Sequence, residues 1–301
     1  MIYEKQALTI AEQIALLQSR GLEITNLAKA EKYLSNISYY RLAGYWWPLQ
    51  ADKVNHTFKS GATFKMVTDL YNFDAELRLL VFGVIEKIEI SLRTKLIYFM
   101  SNSYGPWWFQ QTDLFQKTLM LIKSLEKLRE EVERSKETFM KEHRKTYKRD
   151  GRFPPAWKSL ELTSFGGLSK LYGNLRNDLP EKDTIAKEFG AVNHTYLPSW
   201  LQSIAQIRNI CAHHGRLWNK NLPGTVKLLK KPPYRWVSEV PKPHDFQNIY
   251  VHLCLMRYLL NTIHPTNQFH SDLKTLFARY PRVDEAALGM KHNWREENLW
   301  I

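Results

Sequence analysis

The sequence predicts an all-α fold with little or no sheet, and three observations carry that prediction. Apolar residues recur at helical spacing over Pro198 to Asn219, over Thr68 to about Met100 and over Asp245 to His264. Strand-period alternation is almost absent. Hydrophobic residues at 44% and aromatics at 13% rule out a disordered chain, and 301 residues can bury a large core.

Taken in order, Thr9-Ile-Ala-Glu12 is a capping-box pattern, and Ile10, Ile14 and Leu17 then make a short amphipathic helix that Gly21 can end. A second helix starts at Thr25 or Asn26 and carries Leu34, Ile37, Tyr39 and Tyr40. The aromatic run Tyr39 to Trp47 suits core anchors better than a stacking platform for bases. Residues 48–63 read as a connector with a short extended piece. From Thr68 to Met100, Leu70, Phe73, Leu77, Val81, Val84, Ile88, Leu92 and Phe99 form one face, with Leu79, Phe82, Ile90 and Ile97 on the other. A helix apolar on both sides is expected at the centre of a fold. Its charges Glu86, Glu89 and Arg93 would then be partly buried and paired, either as a Glu89–Arg93 ion pair or with Glu86 and Arg93 supporting the helix at 198–219.

After the break at Ser103-Tyr-Gly-Pro106, residues 114–149 read as one long charged helix. Phe165-Gly-Gly-Leu168 opens another helix to about Leu179. Leu222 to Pro243 is an irregular Pro-rich strap, Asp245 to His264 a clean helix, and two shorter helices fill the rest.

Pro198 to Asn219 has two unlike sides. Trp200, Ile204, Ile207, Cys211 and His214 fall on one apolar face, with Gly215 as the stop. Gln202, Gln206, Asn209, His213 and Arg216 make a polar stripe opposite, in which every group can donate or accept a hydrogen bond. Arg208 and His213 lie roughly 140° apart around the axis, so they share no face. Either the Arg wraps around, or it meets a His from elsewhere. An ordinary wet amphipathic face accounts for the periodicity as well.

The chemistry of these groups is nevertheless specific. Imidazole can accept and donate a proton near neutral pH, while guanidinium stays charged and offers a planar fork to a phosphate. His213, Arg208 and Asn209 together can cleave an RNA backbone. No metal or cofactor is expected: His213 and His214 point about 100° apart, and no His-Glu-x-x-His or Gly-x-x-x-x-Gly-Lys-Ser/Thr pattern is present.

A net charge of +13 favours a polyanionic partner, nucleic acid first. Lys141, Arg144, Lys145, Lys148 and Arg149 form one basic stretch suited to phosphates. Lys230, Lys231 and Arg235 beside Trp236 form another, where phosphate neutralisation and base stacking would combine; a strap packed by its aromatics fits equally well. The two cysteines, Cys211 and Cys254, exclude a disulfide framework. No secretory signal is read at the N-terminus, and charges interrupt Leu77 to Met100, so a soluble cytoplasmic protein without a membrane partner is expected.

Arg208-Asn-Ile-Cys-Ala-His213-His-Gly-Arg-Leu-Trp-Asn219 resembles the signature of bacterial Abi-like (abortive infection) proteins, a branch of the HEPN superfamily. Ile37 to Trp46, Tyr71 to Arg78, Ile88 to Arg93 and Phe165 to Ser169 resemble that family's other blocks in the same order. The resemblance covers roughly residues 10–220 and implies an all-helical fold; the chain is read as one domain over 1–301, a HEPN-like bundle core at roughly 66–220 with N-terminal helices (8–45) and C-terminal helices (245–291) packed on it. It also implies a metal-free ribonuclease site built by two Arg-polar-x-x-x-His motifs at a two-fold interface. Only one such motif occurs here, so a homodimer is expected, with each Arg working beside the other subunit's His. His214 and Arg216 match the same block. RNA is then the expected substrate, and a regulatory or antitoxin RNA a further partner. HEPN proteins that bind RNA without cutting it are the alternative.

Overall fold

The fold is all-α, as the helical periodicities predict. The computed structural model describes residues 6–222 and 226–301, which form twelve α-helices and one antiparallel hairpin. Met1 to Lys5, at the N-terminus where no secretory signal is read, and Pro223 to Thr225 at the start of the Pro-rich strap lie outside the described residues. The chain divides into two compact units, one running to Arg78 and taking in Leu273–Asp284, the other comprising Leu79–Asp272 and Glu285–Ile301.

In the first unit, α1 (Ile10–Ser19) carries the expected capping box: the Glu12 N–H donates to Thr9 Oγ1 at 3.3 Å and the Thr9 N–H to Glu12 Oε2 at 2.7 Å. Gly21 at φ 90° ends it. α2 (Leu27–Ile37) starts on Asn26, but it does not run on through the aromatics. Ser38, at φ 74°, breaks the chain, and its hydroxyl accepts from the Arg41 N–H to cap a separate α3 (Tyr39–Trp46). The expected core anchoring therefore holds for part of the run: Tyr45 and Trp46 are buried, while Tyr40 and Trp47 are exposed. β1 (Gln50–Asp52) and β2 (Thr57–Phe58) supply the extended piece expected in the connector.

α4 (Phe64–Tyr104) begins in this unit and adds Val67 to a core that includes Leu17, Leu34 and Leu42. At its heart Asp74 accepts from Tyr45 Oη at 2.7 Å and pairs with Arg78, all three side chains being buried. Ionised groups this far from water need each other, since neither can be hydrated. α12 (Phe269–Arg279) ends in the same unit, with Phe277 on Phe73 at 5.2 Å between ring centroids.

In the second unit the expectation for α4 fails. Val81, Val84, Ile88 and Leu92 are buried, but Leu79, Phe82 and Ile90 are exposed, Leu79 at 74%. The enclosed helix is instead α11 (Ile249–Ile263), buried without interruption from Ile249 to Leu260. The long helix expected over 114–149 is two, α5 (Thr118–Arg134) and α6 (Thr138–Thr146). Ser135 is extended between them, and Arg144 donates to the Val132 and Ser135 carbonyls at 3.0 and 2.7 Å, closing the end of α5.

α7 (Ala156–Ser159) is a single turn. α8 (Phe165–Asn174) stops short of the expected Leu179, because α9 (Pro180–Lys187) sends Lys182 back to it. The buried Lys182 ammonium donates to the Gly173 and Leu175 carbonyls and to Asn177 Oδ1, a cation at the negative end of a helix. Burial pulls its pKa down to about 8. α10 (Leu197–Ala212) packs chiefly on α8 and also on α11. Beyond α12 the chain makes short 3-10 turns at Ala286–Leu288 and Trp294–Glu296 in place of a second short helix.

Removing the Asp74 carboxylate strands the buried Arg78 charge. Asp74→Ala is expected to cost about 3–5 kcal/mol. Urea unfolding followed by circular dichroism checks this, and an unchanged midpoint would show that the pair does not stabilise the fold.

Candidate functional site

α10 turns Trp200, Ile204, Ile207 and Cys211 inward, as its periodicity predicts, and buries Ser203 beside them. Ser203 joins it to α11 through His252, whose Nδ1 lies 2.7 Å from Ser203 Oγ and whose Nε2 lies 2.9 Å from the Phe246 carbonyl oxygen. A carbonyl can only accept, so Nε2 carries the proton and Nδ1 accepts from the serine hydroxyl. Burial holds the pKa of His252 below the usual histidine value, against the opposing effect of that carbonyl.

The end of α10 differs from expectation. His213 is the C-cap, and the residue in the left-handed conformation is His214 at φ 54°, not Gly215. The Gly215 N–H reaches the Ile210 carbonyl at 2.7 Å and the His214 N–H the Cys211 carbonyl at 3.0 Å, the bonding of a Schellman turn. Gly215 is needed for closeness, since a Cβ there would lie 3.0 Å from Ile210 Cγ2 and 3.2 Å from its carbonyl oxygen. Consequently His214 leaves the apolar stripe it was assigned to and is exposed, as is His213. A β-carbon in this conformation costs about 1 kcal/mol, strain of the kind that collects at functional turns.

Along the polar stripe Gln202 and Asn209 are exposed, and Gln206 and Arg216 are half-buried. The Arg208 guanidinium lies over the Phe82 ring, 5.7 Å from its centroid, and its Nε is buried with no hydrogen-bond partner among the described residues. Arg208 is thus directed toward α4. Glu86, expected to be partly buried and paired, is exposed on α4 one turn beyond Phe82, because that side of the helix is uncovered. Arg93 does form the ion pair with Glu89, at 2.8 Å, and donates further to the Leu160 and Thr163 carbonyls at 3.0 Å each. It steadies the turn that leads into α8.

That turn matters because two clefts adjoin α8. One, of about 320 Å³, lies among α5, residues 160–164, α8 and α10, and Arg208 and Asn209 are in its wall. The other, of about 510 Å³, runs between α8 and α10 past Gln202 and Gln206. Gly166, Lys170 and Asn209 border both, and His213 borders neither. The sequence reading missed Lys117, Lys127, Lys170 and Thr163, which join these walls only because three helices converge. Periodicity within one helix carries no signal of that.

The two basic stretches divide. Lys141, Lys145, Lys148 and Arg149 are exposed, but Arg144, read as a phosphate contact, is engaged with the carbonyls at the end of α5. In the strap Lys230, Lys231 and Arg235 are exposed, whereas Trp236 packs edge-on against Tyr258 of α11 at 5.5 Å, a core anchor and not a free stacking surface. Trp200 Nε1 donates to the Lys227 carbonyl at 2.6 Å and fastens the strap. Among the described residues no three His, Cys, Asp or Glu side chains cluster as metal ligands do, and no helix is long and apolar enough to cross a membrane.

The family model described as Abi-like protein matches residues 32–219, a span that contains both clefts and ends just beyond α10. No curated protein and no solved structure matches the chain.

The His252 bridge gives α10 an acid sensitivity with a definite sign. With the folded-state pKa lowered, the unfolded chain binds the proton first, so stability is complete above the ordinary histidine range and falls as pH drops through it. The slope is at most about 1.4 kcal/mol per pH unit. Urea titrations at about pH 7.5 and 5.5 should show this loss in the wild type and less of it in His252→Gln. Equal losses would remove His252 as the source.

Proposed function

The chain belongs to the Abi-like protein family, which gives it an abortive-infection-type function, and on that premise we propose that it is a metal-independent endoribonuclease whose site is completed by a second copy of the chain. The observation that carries the reading is the separation of Arg208 from His213. Arg208 and Asn209 border a cleft, while His213 caps the exposed end of α10 and borders neither cleft. A guanidinium and an imidazole that serve one phosphate must converge on it, and a two-fold partner is the simplest way to supply the missing member. The exposed Leu79, Phe82 and Ile90 face, which Arg208 adjoins through Phe82, supports a partner of this kind.

In the proposed chemistry a ribose 2′-oxygen attacks the adjacent phosphorus as its proton passes to a base. The P–O5′ bond breaks, the 5′-oxygen takes up a proton, and the products are a 2′,3′-cyclic phosphate and a 5′-hydroxyl. His213 supplies proton transfer within each half-site, taking the proton from the 2′-oxygen and then giving it to the departing 5′-oxygen. Arg208 stabilises charge on the non-bridging oxygens through its planar fork, and Asn209 orients the phosphate or the imidazole. His214 and Arg216 shape the turn that presents His213. The exposed lysines of the 141–149 stretch, with Lys230, Lys231 and Arg235, hold the strand by neutralising phosphates.

Incubation with total RNA in EDTA tests this reading. The wild type should yield cyclic-phosphate ends and leave DNA intact. His213→Ala should lose about 10²- to 10⁴-fold in rate while retaining RNA binding. Arg208→Lys should be strongly impaired, because it keeps the charge and loses the fork. RNA bound but never cut by the wild type would instead make the protein a non-catalytic RNA-binding member of the fold.

A further inference from the structure

We infer that the cleft among α5, residues 160–164, α8 and α10 is a nucleotide pocket, which takes one unstacked nucleotide of the RNA strand with its base inside and its phosphates at the mouth. The inference rests on the ribonuclease reading for its choice of strand, and on the cleft itself for the rest.

Two wall residues of this cleft each carry a buried polar atom with no hydrogen-bond partner among the described residues, Thr163 Oγ1 and Arg208 Nε. Buried polar atoms in native proteins are almost always satisfied, and both of these are closed to solvent, so two orphans beside one cavity mark the part of its wall that opens to meet a ligand. One is a donor and the other can donate or accept. Base edges and phosphate oxygens offer both complements.

The remaining wall separates into the two chemistries of a nucleotide. Leu125, Leu128, Leu160 and Leu171 are apolar and suit the face of a base. Lys127, Lys170 and Arg208 supply positive charge, and the adjoining cleft adds Lys117. Glu131, a carboxylate in the same wall, is paired with Arg134, which leaves the cations in excess. The volume of about 320 Å³ lies at the lower end of small-ligand pockets, room for a single nucleotide and not for a duplex.

Gly166 makes the pocket testable without harm to the fold. It borders both clefts, and a Cβ built on it meets nothing within 4 Å, so a larger side chain there extends into empty space. Neighbouring Gly167 is the opposite case, since its Cβ would sit 2.6 Å from Thr163 Cγ2. Arg93 acts at one remove as a positioning residue, because its bonds to the Leu160 and Thr163 carbonyls hold the turn that carries the orphan hydroxyl.

The probes are nucleoside 3′,5′-bisphosphates, single nucleotides with both flanking phosphates and no scissile linkage, titrated calorimetrically into the full chain. The wild type should bind them saturably and more tightly than inorganic pyrophosphate. Gly166→Leu should weaken binding at least about tenfold with unchanged thermal stability. Thr163→Val should weaken it about three- to tenfold while leaving stability equal or higher, since it removes an unsatisfied hydroxyl. Absence of saturable binding, pyrophosphate binding as tight as the nucleotide's, or wild-type affinity in both variants would overturn the pocket. Cleavage in EDTA by the same preparations keeps the two readings apart. If the wild type leaves RNA uncut in EDTA but binds the nucleotide and Gly166→Leu loses it, the ribonuclease reading falls and the pocket stands.

Discussion

The arrangement of the second unit depends on the enclosure of α11. A helix buried from Ile249 to Leu260 has no polar side to offer water, so every direction around it must be covered. α10 is one of those covers, joined by the Ser203 to His252 hydrogen bond, and this fixes its rotation. Trp200, Ile204, Ile207 and Cys211 are then committed inward, and the remaining polar groups are delivered to α8 and to the surface. Position at the site is thus a by-product of burial elsewhere. The cost of separating α10 from α11 includes a neutral His and a hydroxyl left unpaired in an apolar setting, which keeps the rotation from drifting.

The sequence blocks that carry the family resemblance do not all belong to the site. Tyr45 from one block and Asp74 and Arg78 from another meet in a buried ion pair with a phenol, a structural cluster. Arg93, in a third block, reaches the carbonyls just ahead of α8, whose opening glycines form the fourth. Gly167 is held there by Thr163, and Gly166 leaves the cleft open. The blocks at Ile88 to Arg93 and Phe165 to Ser169 therefore shape the wall beside which Arg208 and Asn209 sit. These blocks thus specify the shape of the cleft wall as well as the polar groups beside it.

Much of the fold was legible because it follows from local rules. The Thr9 to Glu12 capping box, the Gly105 stop and the inward face of α10 all depend on residues within a few turns of one another. What escaped depends on partners far along the chain. Nothing near Ser135 marks a break, since the break is held by Arg144 from the next helix. The second apolar stripe of α4 reads as core, yet Leu79 and Ile90 face outward, because α11 takes the central place. His214 read as a continuation of the stripe until its backbone turned left-handed, a change set by the closeness of Gly215 to Ile210. At the site, the polar stripe and Arg208 were visible from spacing, whereas Thr163 and Lys170 were not, since they belong to other elements.

The central claim is that Arg208 of one chain serves His213 of another. The most direct measurement mixes Arg208→Ala subunits with His213→Ala subunits, each inactive by itself, after dissociation and reassociation, and follows RNA cleavage in EDTA. A site assembled between copies gives each mixed dimer one half-site with both its Arg and its His, so activity should reappear in the mixture. A mixture as inactive as its two parents, although mixed dimers have formed, would contradict the account.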